Sequence, residues 1–127
     1  MTQENRELLL IDLLGRLPYG VKVLISLDIR RELGLDIIHN FIYNNICGVR
    51  PYLRPMSDMT EEERRELGKI PAITEYIDET QPDVPNYIEV ARPEQLDWLN
   101  AHHFDYRDMI SMGLAIEAKG KNNPYQI

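Results

Sequence analysis

Prolines at positions 18, 51, 55, 71 and 93 set where this chain can start and stop its regular structure. Proline has no amide donor, and it pushes the residue before it out of the helical region. The first stretch they leave, residues 3–17, has the spacing of an amphipathic helix. Leu10, Leu13, Leu14 and Leu17 recur at i, i+3, i+4 and i+7, and Leu9 and Ile11 widen the stripe. Thr2 is positioned to cap it, and Glu4 and Glu7 lie in the first turns, where negative charge is favoured. Pro18-Tyr19-Gly20 then ends the helix and turns the chain.

Val21 to Leu27 alternates as a strand. Val21, Val23, Ile25 and Leu27 lie on one face, and Lys22 and Ser26 on the other. Residues 28–47 carry two periodicities. Leu33, Leu35, Ile37, His39, Phe41 and Tyr43 alternate at period two, whereas Leu33, Ile37, Ile38, Phe41 and Ile42 also line one helical face. High β-branched and aromatic content, an interrupting Gly34 and turn-like Asn44-Asn45 and Gly48 favour strands, so a hairpin or meander is expected. Residues 49–55 are extended around two prolines.

Thr60 and Glu63 form a capping box that opens a polar surface helix to about Leu67. Beyond Pro71, Ile73, Tyr76 and Ile77 suit docking on a core, residues 78–86 a loop, and Tyr87 to Val90 a short strand. Pro93 suits the first position of a helix to about Ala101, with Leu96 and Leu99 turned inward beside Trp98. Asp105 is expected to cap a last helix from Tyr106 to about Ala118. The expected fold is α+β: an N-terminal helix, a small antiparallel sheet within residues 21–54, able to curl into a half-barrel, and two or three C-terminal helices. Residues 1–118 are expected to form a single domain and residues 119–127 a flexible tail.

A chain of 127 residues has about the length of one domain. Its single Cys excludes an internal disulfide framework and fits a reducing compartment, so a cytoplasmic location is expected. No apolar run approaches a membrane span, and residues 1–15 are too acidic for a signal peptide. A net charge of −7 argues against broad nucleic-acid binding. That charge is uneven: residues 16–54 hold six bases against three acids, residues 58–94 eleven acids against four bases. The two regions can neutralise each other, or they can steer a charged partner.

His102-His103-Phe104-Asp105 is the first place to look for chemistry, since two imidazoles and a carboxylate can ligate a metal or move a proton. Adjacent helical residues point about 100° apart, however, so a helix-to-helix turn explains the same letters. Cys47 suits a buried small side chain better than a nucleophile. Arg50, Tyr52 and Arg54 share one face of an extended segment. They suit either a stacking platform for a phosphate, a carboxylate or single-stranded nucleic acid, or internal pairing with the acids of residues 58–94. Trp98, Phe104 and Tyr106 fit core anchors better than a ligand cage. No phosphate-loop, dinucleotide, CxxC or HExxH motif is present.

Three blocks carry a resemblance. They are Val49 to Glu63, reading VRPYLRPMSDMTEEE; Asp97 to Arg107, reading DWLNAHHFDYR; and Gly113 to Ala118, reading GLAIEA. With the opening from Leu8 to Val23, they make the chain resemble a family of short uncharacterised proteins of anaerobic gut bacteria, their prophages and phages. The resemblance covers about half of the chain. It implies a cytoplasmic accessory protein of mobile elements, and brings no activity, substrate, cofactor or catalytic residue with it.

The expected function is a non-enzymatic module that binds a protein through a polar-aromatic surface at Tyr52, Arg54, His102, His103, Tyr106 and Arg107, with no cofactor or metal. Two alternatives stand beside it. One is a small metal-dependent hydrolase using His102, His103 and Asp105; the other is an acidic mimic of nucleic acid built on residues 58–94.

Overall fold

A computed structural model describes residues 2–25, 29–44, 48–70, 73–76, 87–90 and 93–125. The fold is α+β. The elements are α1 (Gln3–Arg16), β1 (Lys22–Ile25), β2 (Ile29–Glu32), α2 (Leu35–Tyr43), β3 (Arg50–Leu53), α3 (Glu61–Gly68), β4 (Ile73–Tyr76), β5 (Tyr87–Val90), α4 (Pro93–Ala101) and β6 (Ile116–Glu117). They fall into two compact units, residues 1–58 with 99–127, and residues 59–98. Among the described residues no helix is long and apolar enough to cross a membrane.

The larger unit is built on a four-stranded sheet of order β2-β1-β3-β6. β1 pairs antiparallel with β2 and β3. β6 lies parallel to β3, so the sheet is mixed and not purely antiparallel as expected. Parallel pairing here joins strands far apart in sequence, and no hairpin signal announces it. Leu9 and Leu13 of α1, Val21 and Val23 at β1, Ile37, Ile38 and Phe41 of α2, and Leu53 of β3 form the core with Met109, Leu114 and Ala115.

α1 begins where Thr2 predicts, with its hydroxyl accepting from the Asn5 amide at 3.0 Å. Its buried face differs from the expected leucine stripe. Leu9, Asp12, Leu13 and Arg16 are buried, while Ile11 and Leu14 stay about half exposed. The helix is rotated so that an internal ion pair, Asp12–Arg16 at 2.8 Å, goes inside with the leucines.

Residues 28–47 correct the expected strand meander. β2 is followed by helix α2, and Gly34 is its N-cap, not an interruption. The Gly34 carbonyl accepts from the Ile37 and Ile38 amides, and Ile37, Ile38 and Phe41 turn inward at helical spacing. Cys47, Asn45 and Leu27 lie outside the described residues.

The expected last helix is also replaced. Asp105 does cap a turn, accepting from the amides of Met109 and Ile110 at 2.8 and 2.9 Å. That turn closes at once: Leu114 donates to the Met109 carbonyl, Gly113 to that of Ile110, and Gly113 sits at φ 74°. This is a helix C-terminal motif that needs a left-handed residue, which glycine supplies without strain. The chain then runs on as β6. Within the expected tail, Tyr125 is half-buried, its hydroxyl donating to the Tyr52 carbonyl at 2.7 Å and accepting from the Lys22 amide at 2.9 Å.

In the smaller unit, α3 carries the full capping box, with Thr60 and Glu63 each accepting from the other's backbone amide at 3.1 Å. β4 and β5 form an antiparallel hairpin, which includes the expected strand at Tyr87 to Val90. α4 starts at Pro93 as expected. Trp98 is buried, and its indole N–H donates to Glu66 at 3.0 Å.

Candidate functional site

The end of β3 meets the end of α4 through the backbone. Arg54 donates its amide to the His103 carbonyl at 2.7 Å, and accepts from the Asp105 amide at 2.9 Å. This parallel bridge, Arg54 with Phe104, joins the two sequence blocks that were expected to share a surface. The Phe104 amide donates to the Leu99 carbonyl at 3.0 Å and the His103 amide to that of Asn100 at 3.1 Å. His103 takes a left-handed φ of 63° between them. That is the same C-terminal helix motif that closes at Gly113. The paired histidines are therefore the cap of α4.

The side chains of these blocks are largely tied to neighbours. Tyr52 is only 4% exposed, which removes it from the expected open surface. Arg54 lies 4.2 Å above the Phe104 ring. His103 stacks on Tyr125, ring centres 3.9 Å apart and nearly parallel. Tyr106 donates its hydroxyl to the Asn100 side chain at 2.9 Å, and both Arg16 and Arg107 lie 5.1 Å from its ring centre. Arg107 reaches the free oxygen of Asp12 at 3.2 Å, and buried Arg16 also donates to the Phe104 carbonyl at 2.7 Å.

Asp12, Arg16, Asn100 and Tyr125 are thus parts of the site that were not among the expected surface residues. The one local signal was an opposite-charge pair at i, i+4 within the leucine stripe.

Asp105 is 6% exposed, and both its oxygens hold backbone amides, so it is not free to ligate a metal beside His102 and His103. Among the described residues no three His, Cys, Asp or Glu side chains converge on a metal position. The expected alternative of a metal-dependent hydrolase at His102, His103 and Asp105 therefore lacks its ligand set there.

Burial, reinforced by Arg16, His102, Arg54 and Lys22, pushes the His103 imidazole down to about 4 from an ordinary 6.5. Between those values the unfolded chain binds a proton that the folded chain refuses. Stability therefore holds above about pH 6.5 and is lost as pH falls toward 4. Asparagine tolerates a left-handed φ, so His103→Asn keeps the cap. From pH 7 to pH 4.5 the wild type should lose about 1–2 kcal/mol more than His103→Asn, allowing for solvent screening of a half-exposed ring. Parallel urea titrations at both pH values check this; equal losses in the two proteins would count against a neutral buried imidazole.

Beside the bridge opens a cleft of about 470 Å³, lined by Pro55, Met56, Ser57, Asp105, Tyr106, Asp108, Ile110, Ser111 and Glu117. Its walls mix hydrogen-bonding and apolar groups, and Met56, Ser57, Asp108, Ser111 and Glu117 are exposed. Comparison with protein-family models, curated proteins and solved structures finds no match for the chain.

Proposed function

We propose that the chain is a non-enzymatic protein-interaction module, an accessory protein of the kind its sequence resemblance implies. The carrying observation is the bridge between Arg54 and Phe104, which sets a mixed polar and apolar cleft against a rigid, internally bonded wall. Arg54, His102, His103, Tyr106 and Arg107, the half-exposed members of the expected surface, stand in or beside that wall. A rigid wall loses little conformational freedom on docking, which suits recognition. Held in internal pairs, the same groups are poorly placed to shuttle protons.

The test uses the exposed rim, where substitution disturbs no buried partner. Cross-linked capture from native-host lysate is compared for wild type and a Ser57→Arg/Glu117→Lys variant of unchanged circular dichroism. A specific protein retained by wild type should fall about tenfold in the variant, the effect of clashing charge at a contact centre. Equal capture by both proteins would sink the cleft as the binding surface.

A further inference from the structure

Helix α2 carries apolar side chains on both of its faces. Ile37, Ile38 and Phe41 are buried on the core. Leu35, His39 and Tyr43 follow one another at i, i+4 and i+8, which places them in one row on the opposite, solvent side. Leu35 is 73% exposed, Tyr43 72% and their neighbour Ile42 45%. Asp36 is the one charged residue of the helix. A helix that is apolar all round is ordinarily covered on every side, and a contiguous exposed apolar patch marks an interaction surface.

The same region holds a recess. Ile25 of β1, Ile29 of β2, Ile37 of α2 and Val49 line a groove of about 340 Å³, with Asn40 and Arg31 as its polar members. Ile29 stands 52% exposed in its wall. Asn40 and Tyr43 are three residues apart, so groove and tyrosine are neighbours on the helix surface. Tyr43 is no part of the groove wall: its ring leans on His39, the centres 4.7 Å apart. Arg31 is paired with Asp36 at 3.0 Å, and the two cancel each other's charge.

We infer that this face joins two copies of the chain, each Tyr43 entering the other's groove about a two-fold axis. Shape, chemistry and charge select a second copy as the occupant. A projecting side chain and a recess lie side by side on one surface, and a two-fold axis between them seats both at once. That is the self-complementarity an isologous interface requires. The recess suits this side chain: four aliphatic residues receive the ring, and Asn40 and Arg31 can bond its hydroxyl, as a buried tyrosine needs. A net charge of −7 opposes association of two copies, but the Arg31–Asp36 pair leaves this patch neutral. The area suffices for a weak dimer. The exposed parts of Ile29, Leu35, Ile42 and Tyr43 offer on the order of 500 Å² per copy, or about 1,000 Å² in all, the lower end for a specific interface. The groove shares no lining residue with the cleft, so the two surfaces stand or fall separately.

Sedimentation velocity of the full chain between about 5 and 500 µM tests this. Wild type should pass from monomer to dimer with a Kd of about 10–100 µM, as befits an interface of that size. Tyr43→Ala removes the projection and Ile29→Arg obstructs the recess, both at exposed positions where the fold loses little. Each should raise the Kd at least about tenfold with unchanged circular dichroism. An equimolar mixture of the two variants regains one seated tyrosine, that of the Ile29→Arg copy in the open groove of the Tyr43→Ala copy. The mixture should dimerise more tightly than either variant alone, a gain that misfolding or a general loss of apolar surface would not give. The Ser57→Arg/Glu117→Lys variant should dimerise as wild type does.

A chain that stays monomeric over the whole range overturns the proposal and leaves the patch to a different partner. Undiminished dimerisation of Tyr43→Ala or Ile29→Arg, or a mixture no tighter than its components, overturns it as well. Loss of dimerisation in the cleft variant would move the contact to the other surface, with the same consequence.

Discussion

Asp12→Ala should lower the unfolding free energy of the larger unit by about 3–5 kcal/mol, the cost of stranding one member of a buried pair. For a unit of this size that corresponds to a fall in Tm of about 12 °C or more. Both partners of the Asp12–Arg16 pair are sealed from solvent, and the aspartate also receives Arg107. Removing the carboxylate leaves the Arg16 guanidinium in the core with, among the described residues, the Phe104 carbonyl as its one hydrogen-bond acceptor. Replacing both residues with apolar ones of similar volume, Asp12→Leu with Arg16→Met, should recover most of the loss, because no charge is then stranded. Urea titration followed by amide exchange at Leu9 and Val23 reads the unit that holds the pair. A loss below about 1 kcal/mol would mean that the pair is wet and behaves like a surface bridge.

How much could be read in advance depends on whether the cause is local. The Thr2 cap, the Thr60–Glu63 capping box and the Pro93 helix start depend on neighbours within four residues, and all three stand where their residues predict them. α2 failed that standard for a physical reason. Leu33 to Tyr43 satisfies period two and a helical face at once, and Gly34, a breaker inside a helix, is a good residue just before one. The segment after Asp105 has helical periodicity, yet Gly113 closes it after a single turn. The cap was legible there and the early stop was misjudged.

The candidate site is less legible still. The bridge between Arg54 and Phe104 is a parallel contact between distant segments, and neither carries a mark of the other. The anchoring of Tyr125 on Tyr52, Lys22 and His103 joins three separate stretches in the same way. Opposite charges at i, i+4, such as Asp12 and Arg16, usually lie on a helix surface. Only the whole fold decides that this face of α1 turns inward.

Asp105 offers the second large effect and separates a structural carboxylate from a chemical one. Asp105→Ala should cost about 2–4 kcal/mol, because the Met109 and Ile110 amides lose their acceptors where backbone cannot replace them. Met109 is fully buried, so its amide bears most of the penalty, while half-buried Ile110 can recover some hydration. Asp105→Asn keeps one acceptor oxygen but turns an amide donor toward the second N–H. Its loss should fall between wild type and alanine, near 1–2 kcal/mol. A carboxylate acting as a metal ligand or acid–base group would give a different pattern: near-native stability in both variants, and sensitivity to added zinc in the wild type alone. Urea titrations of the three proteins, with and without zinc, distinguish the cases. The ranking wild type, asparagine, alanine, unmoved by the metal, is the result expected of a cap that fixes the turn forming one wall of the cleft.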